Sequence, residues 1–362
     1  MIRLFLFLIS GLLFGFQGFA QQQAVAKLVW KINRIDLGTV LEEQGLQSIT
    51  FDYMVSQGNY FAIQEVVTDC GCTAVSYSKD TLEIGGAGQI SVEFDPSSAA
   101  GFFSKLVLVK GNQGQVQDSL FVEGIALPYP ADLERNYPVK LGFLGLRMKK
   151  VSMGDVFDNE PKVKYLEFFN YAPQTLKAED FRAKTPAYIQ IQQVQDLVRP
   201  QERGLLKISY EAKLRSELGA VSDKIWINWG KAEEGKMELE VLADLFDYFS
   251  PISKERLDDV PQLMMSDKVI QLGEISSNAV QRRSVTLTNL GKENLEIRKV
   301  QGNCPCLITE YSKSILFPGE SLELNLVFDP VGRKGIDQRN IYIFTNDPVN
   351  PVQLLVIKSR VD

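Results

Sequence analysis

The chain has 362 residues, 45% hydrophobic and 23% charged, a composition that excludes wholesale disorder and, at this length, calls for two or three domains rather than one core. Lys and Arg number 39 against 45 Asp and Glu, a net charge of -6 that argues against a nucleic-acid binder. There is no histidine, which removes Ser-His-Asp and Cys-His nucleophile systems, imidazole acid–base chemistry and His-ligated metals.

Residues 1–20 read as a secretory signal peptide. Arg3 precedes an apolar run from Leu4 to Phe16, and Gly18 and Ala20 occupy the third and first positions before an expected cut. The run is shorter than the roughly 20 residues of a spanning helix, and Gly11 and Gly15 weaken it further. An uncleaved N-terminal anchor is the other reading. Cleavage after Ala20 removes Arg3 and leaves a net charge of -6 minus 1, or -7. The expected destination is an exported, oxidising compartment, the periplasm or the cell surface.

A repeat fills the rest of the chain. The segments around Cys70-Gly71-Cys72 and Cys304-Pro305-Cys306 align without a gap. Cys72 to Asp95 spans 23 positions, as does Cys306 to Asp329. Asp95 to Gly101 and Asp329 to Gly335 each span 6. Upstream, Asp36-Leu37-Gly38 matches Gln271-Leu272-Gly273. A divergent third copy lies between them. Met153-Gly154-Asp155 parallels Leu272-Gly273-Glu274, Leu166–Asn170 parallels Val285–Asn289, and Arg199–Tyr210 parallels Phe317–Phe328. This middle copy lacks the Cys-x-Cys, and Thr185-Pro186 sits near its place.

Within each copy the hydrophobic period is two. Gln89–Phe94 and Leu322–Phe328 alternate, and Lys224–Trp229 does so less strictly. Successive strand side chains face opposite sides, so these runs predict strands with one face in a core. Turn chemistry separates them: Gly85-Gly86, Asp95-Pro96, Pro318-Gly319, Asp329-Pro330 and Asn346-Asp347-Pro348. The predicted fold is all-β, three tandem immunoglobulin-like antiparallel β-sandwiches over 29–127, 138–243 and 266–361. Junctions are expected near Pro128–Pro130 and from Asp244 to Pro261. In the second, Leu245, Phe246, Tyr248 and Phe249 are expected to pack between modules, and Pro251–Val260 could form a short helix.

The Cys70-Gly71-Cys72-Thr73 motif, the later Pro-Gly turn, the Phe-Asp-Pro strand end and the closing Thr345–Pro351 resemble the DUF1573 family. The resemblance covers about 29–127 and 266–361 well and the middle by weak pattern. It implies bacterial exported proteins, common in Bacteroidetes, with an immunoglobulin-like fold akin to the MSP/ASH group, and no established activity. Cys-Pro-Cys in the last copy and the absence of cysteine from the middle copy depart from the pattern. The second departure argues that the thiols are not needed for the fold itself.

Cys70, Cys72, Cys304 and Cys306 form the one constellation with possible chemistry. On a regular strand, i and i+2 lie about 6.6–6.8 Å apart, farther than the roughly 5.5–6 Å that a disulfide prefers, so a local bridge needs a bend that both Gly71 and Pro305 can adopt. So small a ring would be readily reduced. Four readings stand: a structural disulfide or buried thiols, a Cu(I) site on the thiolates, thiol–disulfide chemistry, or a bridge between domains or chains. Two thiolates are too few for structural zinc.

Other features carry less. Gly85–Gly88 lies between strands with no Lys-Ser/Thr or helix after it, so it reads as a hairpin turn rather than a phosphate cradle. Glu42-Glu43, Glu233-Glu234 and Asp258-Asp259 read as solvated surface charge. Trp226 and Trp229 are three apart and fall on opposite strand faces, so at least one belongs in the core. Asp80-Thr81-Leu82 and Asp118-Ser119-Leu120 resemble an O-glycan acceptor triplet. The expected function is an exported, non-catalytic protein-interaction or structural scaffold of the cell envelope, without cofactor or nucleic acid, its partners other envelope proteins. A copper-binding or thiol-redox protein and a carbohydrate-binding surface module are the alternatives.

Overall fold

A computed structural model describes residues 26–58, 60–112, 116–230 and 236–362. The signal-peptide reading and the Glu233-Glu234 pair lie outside the described residues. The chain divides into two compact units, Met1–Ala131 and Asp132–Asp362. The first holds one β-sandwich and the second holds two, each of the three closed around its own apolar cluster.

In the first sandwich one sheet runs in the order Lys27–Trp30, Gln47–Gln57, Ala87–Phe94, Thr73–Tyr77, and the other in the order Arg34–Leu41, Val116–Leu127, Gly101–Lys110, Glu65–Thr68. The alternation in the sequence is what fills the space between them. Ile90, Val92 and Phe94 are wholly buried along one strand, facing Val107, Val109, Leu120 and Val122 from the other sheet. The third sandwich repeats this with Leu322, Leu324, Leu326 and Phe328 against Ile341, Ile343, Leu355 and Ile357.

The sandwiches are not wholly antiparallel. The first long strand of each pairs in parallel with the last: Arg34–Leu41 with Val116–Leu127, Lys150–Phe157 with Met237–Phe246, and Val269–Ile275 with Val352–Val361. In the outer two sandwiches the preceding short strand, Lys27–Trp30 or Leu263–Met265, belongs to the opposite sheet. The chain therefore changes sheet without reversing direction, and it arrives alongside a strand running the same way. The register slips within this parallel pair at the same glycine each time, Gly38, Gly154 and Gly273, with φ of +66°, +69° and +72°. A bulge in this left-handed region favours glycine, so the Leu-Gly and Met-Gly matches in the sequence mark a backbone requirement.

The middle copy is the same module. Asn170 and Asn289 are both fully buried. Asn170 Nδ2 donates to Val198 O at 3.0 Å and Gln174 O at 3.1 Å while its Oδ1 accepts from Ala172 N–H at 2.9 Å. Asn289 Nδ2 donates to Leu316 O at 3.0 Å and Glu293 O at 2.8 Å while its Oδ1 accepts from Gly291 N–H at 2.9 Å. In both copies a glutamate three residues into the next turn accepts a backbone N–H, Glu202 from Arg199 and Glu320 from Phe317.

The only α-helices among the described residues are Leu133–Asn136 and Ala212–Arg215. Pro251–Val260 does not form the helix considered above; only Lys254–Arg256 makes a 3-10 turn. Prolines bracket this segment, it is too short to nucleate a helix, and Asp258 and Asp259 fall where a helix C-terminus disfavours negative charge. The middle sandwich also extends past 243, since its last strand ends at Phe246. Within the second unit, Leu245 is fully buried in the middle core and Phe246 meets Phe344 of the third sandwich at 6.1 Å, whereas Tyr248 is exposed. Gln301 adds a polar clasp between these two sandwiches. Its Oε1 accepts Ala220 N–H at 3.0 Å and its Nε2 donates to Ala220 O at 3.2 Å, as a neighbouring strand would.

Candidate functional site

Both Cys-x-Cys motifs occupy the loop where the chain crosses from one sheet to the other. Cys70–Cys72 joins Glu65–Thr68 to Thr73–Tyr77, and Cys304–Cys306 joins Leu295–Gly302 to Leu307–Glu310. The turn supplies the bend that a strand cannot. Cα atoms stand 5.3 Å apart in the first pair and 5.2 Å in the last, and each pair is bridged by a disulfide. Gly71 does not use its freedom, for its φ is not positive and a Cβ built on it meets nothing within 4 Å. That is why Pro305 can stand in its place. The loop is fixed at its exit: Asp95 N–H donates to Cys72 O, and Asp329 N–H to Cys306 O, both at 2.9 Å.

The same loop in the middle copy does without sulfur. Phe181–Lys184 crosses to Ile189–Gln193 through Thr185-Pro186, as the spacing implies, and Glu211 N–H donates to Tyr188 O at 2.9 Å. Tyr188 thus stands where the other copies have their second cysteine. Its hydroxyl donates to Asp223 at 2.8 Å, and the Arg215 guanidinium lies 5.1 Å from its ring. Burial, then the Asp223 hydrogen bond, pushes the Tyr188 phenol up from its ordinary value.

The two disulfides have different surroundings. At the first, the hydroxyl of Thr73 lies 3.5 Å from Cys70 Sγ and 3.8 Å from Cys72 Sγ, and Thr68 Oγ1 donates to Thr73 O at 3.2 Å. Two positions beyond Asp95 are apolar here, with Ala99 buried and Phe103 stacked on Phe94 at 4.4 Å. At the last, the matching positions are Arg333 and Asp337. Arg333 Nη2 lies 3.1 Å from Cys306 Sγ, and Asp337 is bound by Arg339 through both carboxylate oxygens. Neither the Arg333 contact nor this Arg–Asp–Arg cluster was visible as a motif; the substitution of Ala99 and Phe103 by charged residues in the aligned repeats was the available signal.

The remaining sequence candidates are dispersed. Gly85–Gly88 is a turn into Ala87–Phe94, and a Cβ on Gly88 would lie 2.5 Å from the Tyr53 ring, so this glycine serves packing. Glu42 accepts Tyr129 N–H at 2.7 Å, and Asp259 pairs with Lys292 at 2.9 Å, which holds its carboxyl below the usual range. Trp229 packs on the middle core and donates Nε1–H to Gln193 at 2.6 Å, whereas Trp226 lies under Lys184 on the other face. Thr81 is exposed in a loop, but Ser119 sits in a ladder between paired strands, where an acceptor triplet would not be accessible as a loop. Among the described residues no group of three or more His, Cys, Asp or Glu could hold a metal ion, and no helix is long and apolar enough to cross a membrane.

The sequence profile of a family described as a protein of unknown function, DUF1573, matches residues 28–126 and again 263–361, together more than half of the chain. This chain belongs to the DUF1573 family. The two matched segments are the two disulfide-bearing sandwiches, and the Cys-less middle sandwich separates the DUF1573 pair. No curated protein matches the chain in sequence. Among solved structures, it is similar to a protein of unknown function from Porphyromonas gingivalis W83, at 16% identity and a TM-score of 0.45 over 60% of this chain and 100% of that one. It is also similar to an endo-fucoidan hydrolase of glycoside hydrolase family 107, at 10% identity and a TM-score of 0.22 over 94% of this chain, which spans only 44% of that protein. An ASH/PapD-like domain of human CEP192 matches at 10% identity and a TM-score of 0.25, over 32% of this chain and 92% of that domain.

Proposed function

We propose that this DUF1573 chain is an exported, non-catalytic interaction scaffold of the cell envelope. The observation that carries the reading is a repeated exposed apolar position. Phe102 and Ile336 are equivalent in the aligned repeats, each directly following a glycine with positive φ, and they are 74% and 91% exposed. Large apolar side chains scattered singly are ordinary surface, but the same position left open in both disulfide-bearing sandwiches, with the half-exposed Ile125 directly across the strand pair from Phe102, suits a partner's apolar side chain. Each of these two sandwiches closes around its own core and so holds such a point on a packed strand. The partner is another envelope protein.

The test is crosslinking in the native envelope with wild-type chain and with the Phe102→Ser, Ile336→Ser double variant. Both side chains lie outside the cores, so the variant should unfold at the wild-type temperature within a degree or two. Loss of discrete crosslinked partners from that folded variant is the expected result. An unchanged partner set would overturn the reading.

A further inference from the structure

The geometry points to the Cys304–Cys306 bridge as a thiol–disulfide exchange site that oxidises an exported protein dithiol, a role beyond the scaffold reading and independent of it. Two observations on opposite sides of the bridge carry this. On one side stands Arg333, with Nη2 3.1 Å from Cys306 Sγ. Its charge is poorly spent elsewhere: Asp337 Oδ1 is 3.5 Å from Nη1, and that carboxylate is already taken by Arg339. Arg333 Nε is buried without a hydrogen-bond partner among the described residues. On the other side, Cys304 and Pro305 line an open cleft of about 930 Å³ with Gly302, Tyr342, Phe344 and Phe246, whereas Cys306 does not line it.

These positions divide the labour of exchange. A partner thiolate entering the cleft attacks Cys304 Sγ. The Cys304–Cys306 bond breaks, its electron pair leaves on Cys306 Sγ beside the guanidinium, and a mixed disulfide forms between partner and Cys304. The partner's second thiol, losing its proton to solvent, attacks the partner sulfur of that mixed disulfide and expels Cys304 as thiolate. Both protein thiolates then take up protons according to pH. The partner dithiol ends as a disulfide and the Cys304–Cys306 pair ends reduced. A leaving thiolate departs faster as its pKa falls, and a cation beside it lowers that pKa.

The other two copies are internal controls. In the first, the position of Arg333 is Ala99, and among the described residues the Thr73 hydroxyl is the side-chain polar group that approaches the sulfurs. In the middle copy Arg215 lies four residues after Glu211, as Arg333 lies four after Asp329, but its donors are occupied by Tyr210, Glu217 and Asp223. An arginine at this position is thus held by two carboxylates and a phenol where no sulfur is present, and keeps a buried Nε without a hydrogen-bond partner among the described residues where a disulfide is.

The experiment is reduction of the full exported chain by dithiothreitol, quenched by alkylation and read by peptide mass spectrometry so that both bridges are timed in one molecule. Cys304–Cys306 should open about tenfold faster than Cys70–Cys72. Arg333→Gln should remove most of that difference and Arg333→Lys should restore part of it, while the Cys70–Cys72 rate stays constant as the internal reference and an unchanged unfolding temperature reports an intact fold. In the reduced chain, Cys306 should alkylate with iodoacetamide at lower pH than Cys72. Equal opening rates of the two bridges, or a Cys304–Cys306 rate indifferent to Arg333→Gln, would overturn the inference.

Discussion

Asn170 and Asn289 show how a single polar side chain can be essential in a sandwich core. Each ties the turn that follows it to the end of a short strand, through Val198 O or Leu316 O. A buried donor or acceptor left without a partner costs about 1–3 kcal/mol. Asn289→Ala should therefore destabilise the third sandwich by about that amount, and Asn170→Ala the middle one, as denaturant titration of each variant would show. Both asparagines end segments that the sequence already aligned, Leu166–Asn170 and Val285–Asn289, yet their role was not legible. An asparagine at a strand end is ordinary turn chemistry until the carbonyl of Leu316, 27 residues away, is seen against its amide.

Among the elements, the strand-to-strand junction inside the second unit sets two carboxylates in opposition. Asp247 is paired with Arg298 at 3.0 Å, but burial outweighs that pair and raises its carboxyl above the ordinary 3.8. Glu217 is lowered, first by its hydrogen bond from Arg215 and then despite partial burial. The signs follow from proton linkage. Asp247 contributes stability below the unfolded-state value that is lost as pH rises through its raised one. Glu217 contributes stability above the unfolded-state value that is lost as pH falls through its lowered one. Asp247→Asn should abolish the first loss without destabilising the fold, and Glu217→Gln should flatten the acid limb; denaturation midpoints between about pH 3 and 7 would show both. If Asp247→Asn instead lowers the midpoint across the whole range, the ion pair rather than burial dominates there.

At the scale of the whole molecule, a sandwich that closes in the middle copy without sulfur says that the bridges are not what folds this chain. A disulfide closing so short a loop restrains few conformations, worth about 1.5 kcal/mol on the chain-entropy scale. Cys70→Ser with Cys72→Ser should leave the first unit folded and less stable by about that much, measured by thermal unfolding with the outer-copy bridge Cys304–Cys306 intact. Unfolding of the first unit at room temperature would show that the bridge, not the core around Phe51, Ile90 and Phe94, holds it. The repeat also explains why the middle copy escapes the family profile. Its Asn, Gly and Glu positions are kept because backbone geometry demands them, while its crossover loop exchanges a disulfide for Tyr188 and Arg215.

The sequence by itself determined the strand content, the three-fold repetition, the inward faces and that a bridge within Cys-x-Cys would need a bend. All of these rest on local rules: period two, turn residues and the reach of two adjacent thiols. Only the tertiary structure decided the parallel pairing of first and last strands, the Gln301–Ala220 clasp and the meeting of Arg333 with Cys306 across 27 residues. Those contacts join groups far apart along the chain. Which of many chemically equivalent partners they meet is set by how the two sheets pack, and no local pattern records it.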